Sequence, residues 1–286
     1  MAELRIGTCS WKYDSWAGLV YTEIENINYL QKYSYHYNTV EVDQWFWSLG
    51  KKSVSFPKPA DVKDYKNSVP DNFKFTIKMP NSITLTHPYQ QKKGELLERN
   101  EYFLSCEILN QFLKSIEPLK EKLGPLMFQF EYLNKQKMAS QFDFMSQFSA
   151  FIQNAEKDYP YAVETRNPNY LNKDYFEFIN DNNLIHVFLQ GYYMPAVYET
   201  YKKFKDYING TTVIRLHGPD RKGMEERTGG DWSRIIEPRD GELEKIIEMI
   251  IDLLGRNVDV YLNVNNHYEG SAPLTIKKIN DMIAAR

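Results

Sequence analysis

The chain has 286 residues, of which 42% are hydrophobic and 26% charged, and its formal net charge is −3. That length and balance describe a globular protein with a large core and argue against a surface built to coat a polyanion, which needs a basic excess. No run of about 18 apolar residues occurs, so no membrane-spanning helix is expected.

Short β-rich runs alternate with amphipathic stretches along the chain. The expected strands are Leu4–Cys9, Thr39–Asp43, Phe73–Met79, Leu126–Glu131, Tyr161–Arg166, Leu184–Leu189, Val213–His217 and Val258–Asn265. The expected helices are Ile27–Tyr35, Glu98–Lys122, Ser140–Asp158, Asp174–Asp181, Gly241–Leu254 and Ala272–Ala284, with a further short helix over Pro59–Ser68. The segment Tyr192–Lys205 reads equally as helix or loop. Strand–helix alternation implies parallel pairing through right-handed crossovers. Eight strands in that order predict one α/β domain over residues 1–286, a TIM-type (β/α)8 barrel. A doubly wound open sheet is the alternative, but its glycine-rich first turn is absent from GTCSWKYDSW.

Long loops follow the second strand (Gln44–Asn72), the third (Pro80–Leu97) and the seventh (Gly218–Asp240). All leave the carboxyl ends of strands, the face that carries the site in barrels. The last holds Gly223, Gly229 and Gly230 around Trp232 and is a candidate lid. The two cysteines, Cys9 and Cys106, fit no metal or redox spacing and suit a reducing compartment. The opening MAELRIGTCSW runs into a strand with no signal-peptide apolar core, so the expected location is the cytoplasm.

Strands covered on both faces read as unbroken apolar runs. These do not. Side chains alternate across a strand, so Val40 and Val42 oppose Glu41 and Asp43, while Phe75 and Ile77 oppose Thr76 and Lys78. Phe128 and Phe130 oppose Gln129 and Glu131, and Val163 and Thr165 oppose Glu164 and Arg166. In the later strands Ile214 and Leu216 oppose Arg215 and His217, and Leu262 and Val264 oppose Asn263 and Asn265. The apolar face belongs under the helices and the polar face inside the barrel. Unpaired buried charge is costly, so Glu41, Asp43 and Glu164 are expected near Lys78, Arg166 and Arg215.

The motifs IGTCSWKYDSWAGLVY (6–21), TVEVDQWFW (39–47), FKFTIKMPNSITLTH (73–87), LGPLMFQF (123–130), YAVETRNPNY (161–170), VIRLHG (213–218) and VYLNVNNHYEGSA (260–272) follow in order along the chain. In number and sequence they resemble the YecE-like family, the domain of unknown function numbered 72. The resemblance implies a TIM-type barrel and assigns no reaction. The family-like polar residues it implies are Trp11, Tyr13, Trp16, Glu41, Lys78, His87, Gln129, Glu164, Arg166, Arg215, His217, Asn265 and Asn266. The chain departs from the pattern at Asp43-Gln44-Trp45-Phe46, where the family reads Asn-Ser-Thr-Phe, and at Glu131-Tyr132, where Pro-Pro is usual.

Three chemistries suit these residues. The first is an enzyme of hydrolase or lyase type on a small anionic or hydroxyl-rich substrate. Glu41 or Glu164 would be its base and His217 its acid, with Trp11, Tyr13, Lys78, His87, Gln129, Arg166, Arg215, Asn263, Asn265 and Asn266 binding substrate. A glycosidase would use Glu41 and Glu164 as its carboxylate pair. The second is a metal-dependent phosphodiester hydrolase with a divalent ion on Glu41, Asp43, Glu164, His217 and His87, although no H-x-H or H-E-x-x-H spacing occurs, and no metal or other cofactor is otherwise expected. The third is a non-catalytic binder of a small molecule, or of nucleic acid through Lys12, Lys51, Lys52, Lys92, Lys93, Arg221 and Lys222 with interleaved aromatics.

Overall fold

The structure, a computed structural model, describes residues 1–22, 25–50, 53–89 and 98–286. Eight strands close in chain order into a barrel, every neighbouring pair parallel. They are β1 (Leu4–Cys9), β2 (Thr39–Val42), β3 (Lys74–Lys78), β4 (Leu123–Gln129), β5 (Tyr161–Glu164), β6 (Ile185–Gly191), β7 (Thr211–Gly218) and β8 (Asp259–Val264). Helices lie between them: α1 (Tyr29–Tyr33), α2 (Pro59–Ser68), α3 (Asn81–Thr84), α4 (Cys106–Ile116), α5 (Gln141–Asn154), α6 (Lys173–Asp181), α7 (Val197–Phe204), α8 (Arg221–Thr228), α9 (Asp240–Gly255) and α10 (Ala272–Ala284). This is the expected (β/α)8 architecture, with all eight expected strands present. Among the described residues no helix is long and apolar enough to cross a membrane.

Capping chemistry fixes several helix starts. Side chains of Asn28, Ser105, Ser140, Asn172 and Asp220 accept backbone N–H bonds from residues three ahead, satisfying donors the helix itself leaves free. Ser105 accounts for one correction. A helix was expected from Glu98, yet α4 begins at Cys106, because Leu104 takes a left-handed φ of 54° and Ser105 caps the following turn. The ambiguous 192–205 segment divides in the same way: Tyr192 is left-handed at φ 54°, and α7 starts five residues later.

The loop after β7, the candidate lid, is a packed segment in this structure. It contains α8, closed by Gly229 in the left-handed region at φ 60°. Trp232 is buried, its backbone N–H donates to Ser15 Oγ at 3.1 Å, and its ring meets His267 edge-on at 5.0 Å.

Alternation organises the interior as expected. Val40, Val42, Phe75, Ile77, Phe128, Val163, Ile214, Leu216, Leu262 and Val264 join one large apolar cluster outside the barrel wall. Inside, Met127, Ala162, Val187 and Val213 form a separate plug with Ile185 and Tyr261. Gly124 makes room for it, since a Cβ there would lie 2.9 Å from the Tyr261 ring. Strand ends at the mouth are equally tight. A Cβ on Gly191, whose φ is 140°, would lie 2.3 Å from the carbonyl oxygen of Gly218. Gly191→Ala is therefore expected to cost at least the roughly 1–3 kcal/mol of a strained backbone, read as a lower urea midpoint at unchanged slope. An unchanged midpoint would mean that β6 and β7 part more easily here than their register implies.

Candidate active site at the barrel mouth

One step above the apolar plug, inward residues of six strands meet around Arg215. The register sets their level, pairing Arg215 with Asn263, Gln129 with Glu164, and Glu41 with both Cys9 and Thr76. Arg215 Nε donates to Glu41 Oε2 at 2.8 Å and Nη2 to Glu41 Oε1 at 2.5 Å, a two-pronged clasp. Nη1 donates to Glu164 Oε2 and, at 3.2 Å, to Gln129 Oε1. Asn263 Nδ2 adds bonds to Glu41 Oε2 at 3.2 Å and Thr76 Oγ1 at 2.9 Å. Arg166 Nε reaches the other oxygen of Glu164 at 3.2 Å. Arg215 is 1% exposed, and Glu41 and Glu164 are 0% exposed. Burial alone would raise the Glu164 pKa, but the Arg215 and Arg166 guanidiniums hold it below the usual carboxylate range.

This layer answers the charge expectation in part. Glu41 and Glu164 take Arg215 and Arg166. Asp43 and Lys78, expected to complete the balance, make no ion pair among the described residues. Burial and the nearby Glu41 raise the Asp43 pKa, while burial and Arg215 lower that of Lys78. The Lys78 ammonium sits 4.0 Å from the ring centroid of Phe46. It is the last residue of β3 and lies on the inward face, opposite the outward Ile77 and Met79.

His217 lies beside this group, its Nε2 3.7 Å from Cys9 Sγ and its Nδ1 3.4 Å from the Tyr192 hydroxyl. Burial, then Arg215, Arg166 and Lys78, drive its pKa well below the ordinary value. The imidazole is neutral at pH 7, so it lacks the proton that the expected acid role requires. Burial also pushes the Cys9 thiol up, leaving it protonated. Ligand atoms of Cys9, Glu41 and His217 lie within 4.8 Å of one another. They suit a cation poorly, because Arg215 occupies both oxygens of Glu41.

Beside the mouth, a cleft of about 830 Å³ is lined by Tyr89, Glu131, Tyr132, Arg166, Tyr192 and Tyr193 among others. The Arg166 side chain is 28% exposed and lies over the Tyr192 ring at 4.7 Å. Its Nε is spent on Glu164, and its two terminal nitrogens make no hydrogen bond among the described residues.

Of the residues singled out from sequence, Glu41, Gln129, Glu164, Arg166, Arg215 and Asn263 form one bonded network, with Lys78 and His217 beside it. Tyr13 is at its edge, its hydroxyl donating to the Cys9 carbonyl at 3.4 Å. The others stand apart. Trp11 is buried edge-on against Tyr65 at 5.1 Å. His87 Nδ1 meets Thr86 Oγ1 at 3.0 Å. Asn265 accepts from the His267 backbone at 3.0 Å, and Asn266 accepts from Ala272 N at 2.9 Å, anchoring the start of α10. Two residues at the site were passed over. Cys9 carried a signal, sharing its strand face with Arg5 and Gly7, whereas Tyr192 sat in the ambiguous segment and carried none. Of the loop cations, Arg221 and Lys222 pair with Glu225 and Glu226 one helical turn on, and Lys12 lies over Tyr29 at 5.5 Å. Lys51, Lys52, Lys92 and Lys93 lie outside the described residues.

Residues 5–286 match the family described as "Protein of unknown function DUF72". The chain belongs to that family. A DUF72 family protein from Thermotoga maritima MSB8 superposes with a TM-score of 0.68 at 19% identity, covering 99% of each chain. One from Enterococcus faecalis V583 gives 0.66 at 18%, covering 97% of this chain and 95% of that one. At these identities the likeness establishes the DUF72 barrel and nothing about chemistry. No curated protein matches the sequence.

Proposed function

We propose that this DUF72 protein is a cytoplasmic enzyme that acts by acid–base chemistry on a small anionic or hydroxyl-rich substrate at the carboxyl-terminal mouth of the barrel. The observation that carries this reading is the split within the charged layer. Arg215 is consumed by Glu41, Glu164 and Gln129, while Lys78, Asp43 and the terminal nitrogens of Arg166 hold no ion pair among the described residues. Arg166 offers a fork suited to carboxylate or phosphate oxygens. Asp43, its pKa raised, and Lys78, its pKa lowered, are driven toward each other, as the partners of a proton exchange are. Glu41 and Glu164, first assigned as bases, hold Arg215 in place and leave no carboxylate oxygen free for a substrate proton. The reading needs no cofactor. Pairing of Arg221 and Lys222 within α8 favours a small ligand over nucleic acid.

Inorganic phosphate is the first probe. Calorimetry is expected to show one saturable site, and Arg166→Met to weaken it about tenfold, the worth of one charge-assisted hydrogen bond. No saturable binding, or equal affinity in the variant, defeats the proposal.

A further inference from the structure

Lys78 is an inward-facing cation of the barrel that makes no ion pair among the described residues. The other inward cations of the layer are tied to carboxylates, Arg215 to Glu41 and Glu164, and Arg166 to Glu164. Lysines elsewhere with a carboxylate in reach take it, as Lys122 does with Asp71, Lys137 with Glu131 and Lys278 with Glu269. The Lys78 nitrogen instead rests over the face of Phe46, itself 2% exposed, with no hydrogen-bond acceptor among the described residues. The ammonium there is half-buried, and burial and the Arg215 guanidinium lower its pKa against the opposing pull of Glu41, Asp43 and Glu164. Desolvation beside a second cation is how a lysine becomes an amine nucleophile.

The geometry points to Lys78 as the residue that condenses with a carbonyl carbon. We infer that the substrate is a small aldehyde or ketone bearing a carboxylate or phosphate, the anion held by Arg166 and the carbonyl by Lys78. This deepens the proposed function and rests on it. The Asp43 carboxylate first takes one proton from the Lys78 ammonium, and the Nζ lone pair so freed forms the new C–N bond as the carbonyl π pair moves to oxygen. That oxygen leaves as water, carrying one hydrogen from the nitrogen and one from protonated Asp43, and the nitrogen lone pair closes the C=N bond. The products are an iminium on Lys78, one water and the Asp43 carboxylate. An iminium withdraws electrons from the adjacent carbon, which suits lyase or isomerase chemistry in which a proton or a carbon fragment leaves that carbon.

Glyoxylate with sodium cyanoborohydride tests this, because the hydride reduces an iminium to a stable secondary amine. At pH 7.5 peptide mapping is expected to find Lys78 labelled at least about tenfold faster than the exposed lysines Lys202 and Lys277. The Lys78→Arg variant keeps the charge and should lose that label while still binding inorganic phosphate. Labelling of Lys78 no faster than Lys202 overturns the inference, and peptide mapping of the unaltered chain gives that answer even if the variant fails to fold. Phosphate binding without preferential labelling leaves the acid–base reading standing and removes the iminium. Loss of both removes both.

Discussion

Replacing Arg215 by methionine is expected to lower stability by about 3–5 kcal/mol, the cost of stripping a buried ion pair of one partner. Glu41 and Glu164 are fully buried, and in the variant the one bonded cation left to them is Arg166 on Glu164, with Lys78 nearby but unpaired among the described residues. Coulomb attraction in the barrel had offset their desolvation, and the sulfur atom of methionine restores none of it. The effect is read as a reduced urea midpoint. The companion variant Glu41→Leu, Glu164→Leu, Arg215→Met tests the cause. It removes the uncompensated charges together and should recover at least half the loss, as apolar replacement of whole buried networks does. A single-variant loss below about 1 kcal/mol, the value for exposed pairs, would show that water reaches the layer.

Acid should destabilise this protein earlier than carboxylates alone would allow. His186 lies under α6, with Nδ1 3.3 Å from the Tyr175 hydroxyl and rings of Phe176 and Phe188 around it. Burial lowers its pKa to about 3. In the unfolded chain a histidine titrates near 6.5. Between those values the unfolded state binds the extra proton, so stability is full above about pH 6.5 and is lost as pH falls toward the folded value. His217, also lowered, adds in the same direction from the same starting point, and Glu164 adds once pH falls below the ordinary carboxylate range. The His186 contribution alone amounts to roughly 3 kcal/mol by pH 4. Urea midpoints measured from pH 8 to 4 should fall from about pH 6.5 onward, and His186→Phe should flatten part of that fall. Parallel curves for the two proteins would show that His186 takes up its proton in the fold as readily as in the unfolded chain.

Much of the barrel could be read from the sequence because its signals are local. Alternation of period two places Glu41, Gln129, Glu164, Arg215 and Asn263 on one interior surface, and they do meet there. What alternation does not specify is reach. Nothing in TVEVD or TIK says that Glu41 takes the guanidinium while Asp43 goes without, or that Lys78 turns onto Phe46. Those outcomes depend on rotamers and on which groups compete for one partner. Helix α8 escaped notice because RKGMEERT has almost no apolar stripe and depends on the Asp220 cap and the Gly229 stop. Asn266 misled for the opposite reason: a polar residue at the mouth proved to be holding a backbone amide.

The saturation of Arg215 has an evolutionary meaning. Four of its N–H bonds end on protein atoms, so an arriving molecule finds nothing there to rearrange. Selection can therefore exchange Asp43, Glu131 or Tyr192 at the rim without disturbing the foundation beneath. One durable foundation can thus carry different rims while the architecture stays put.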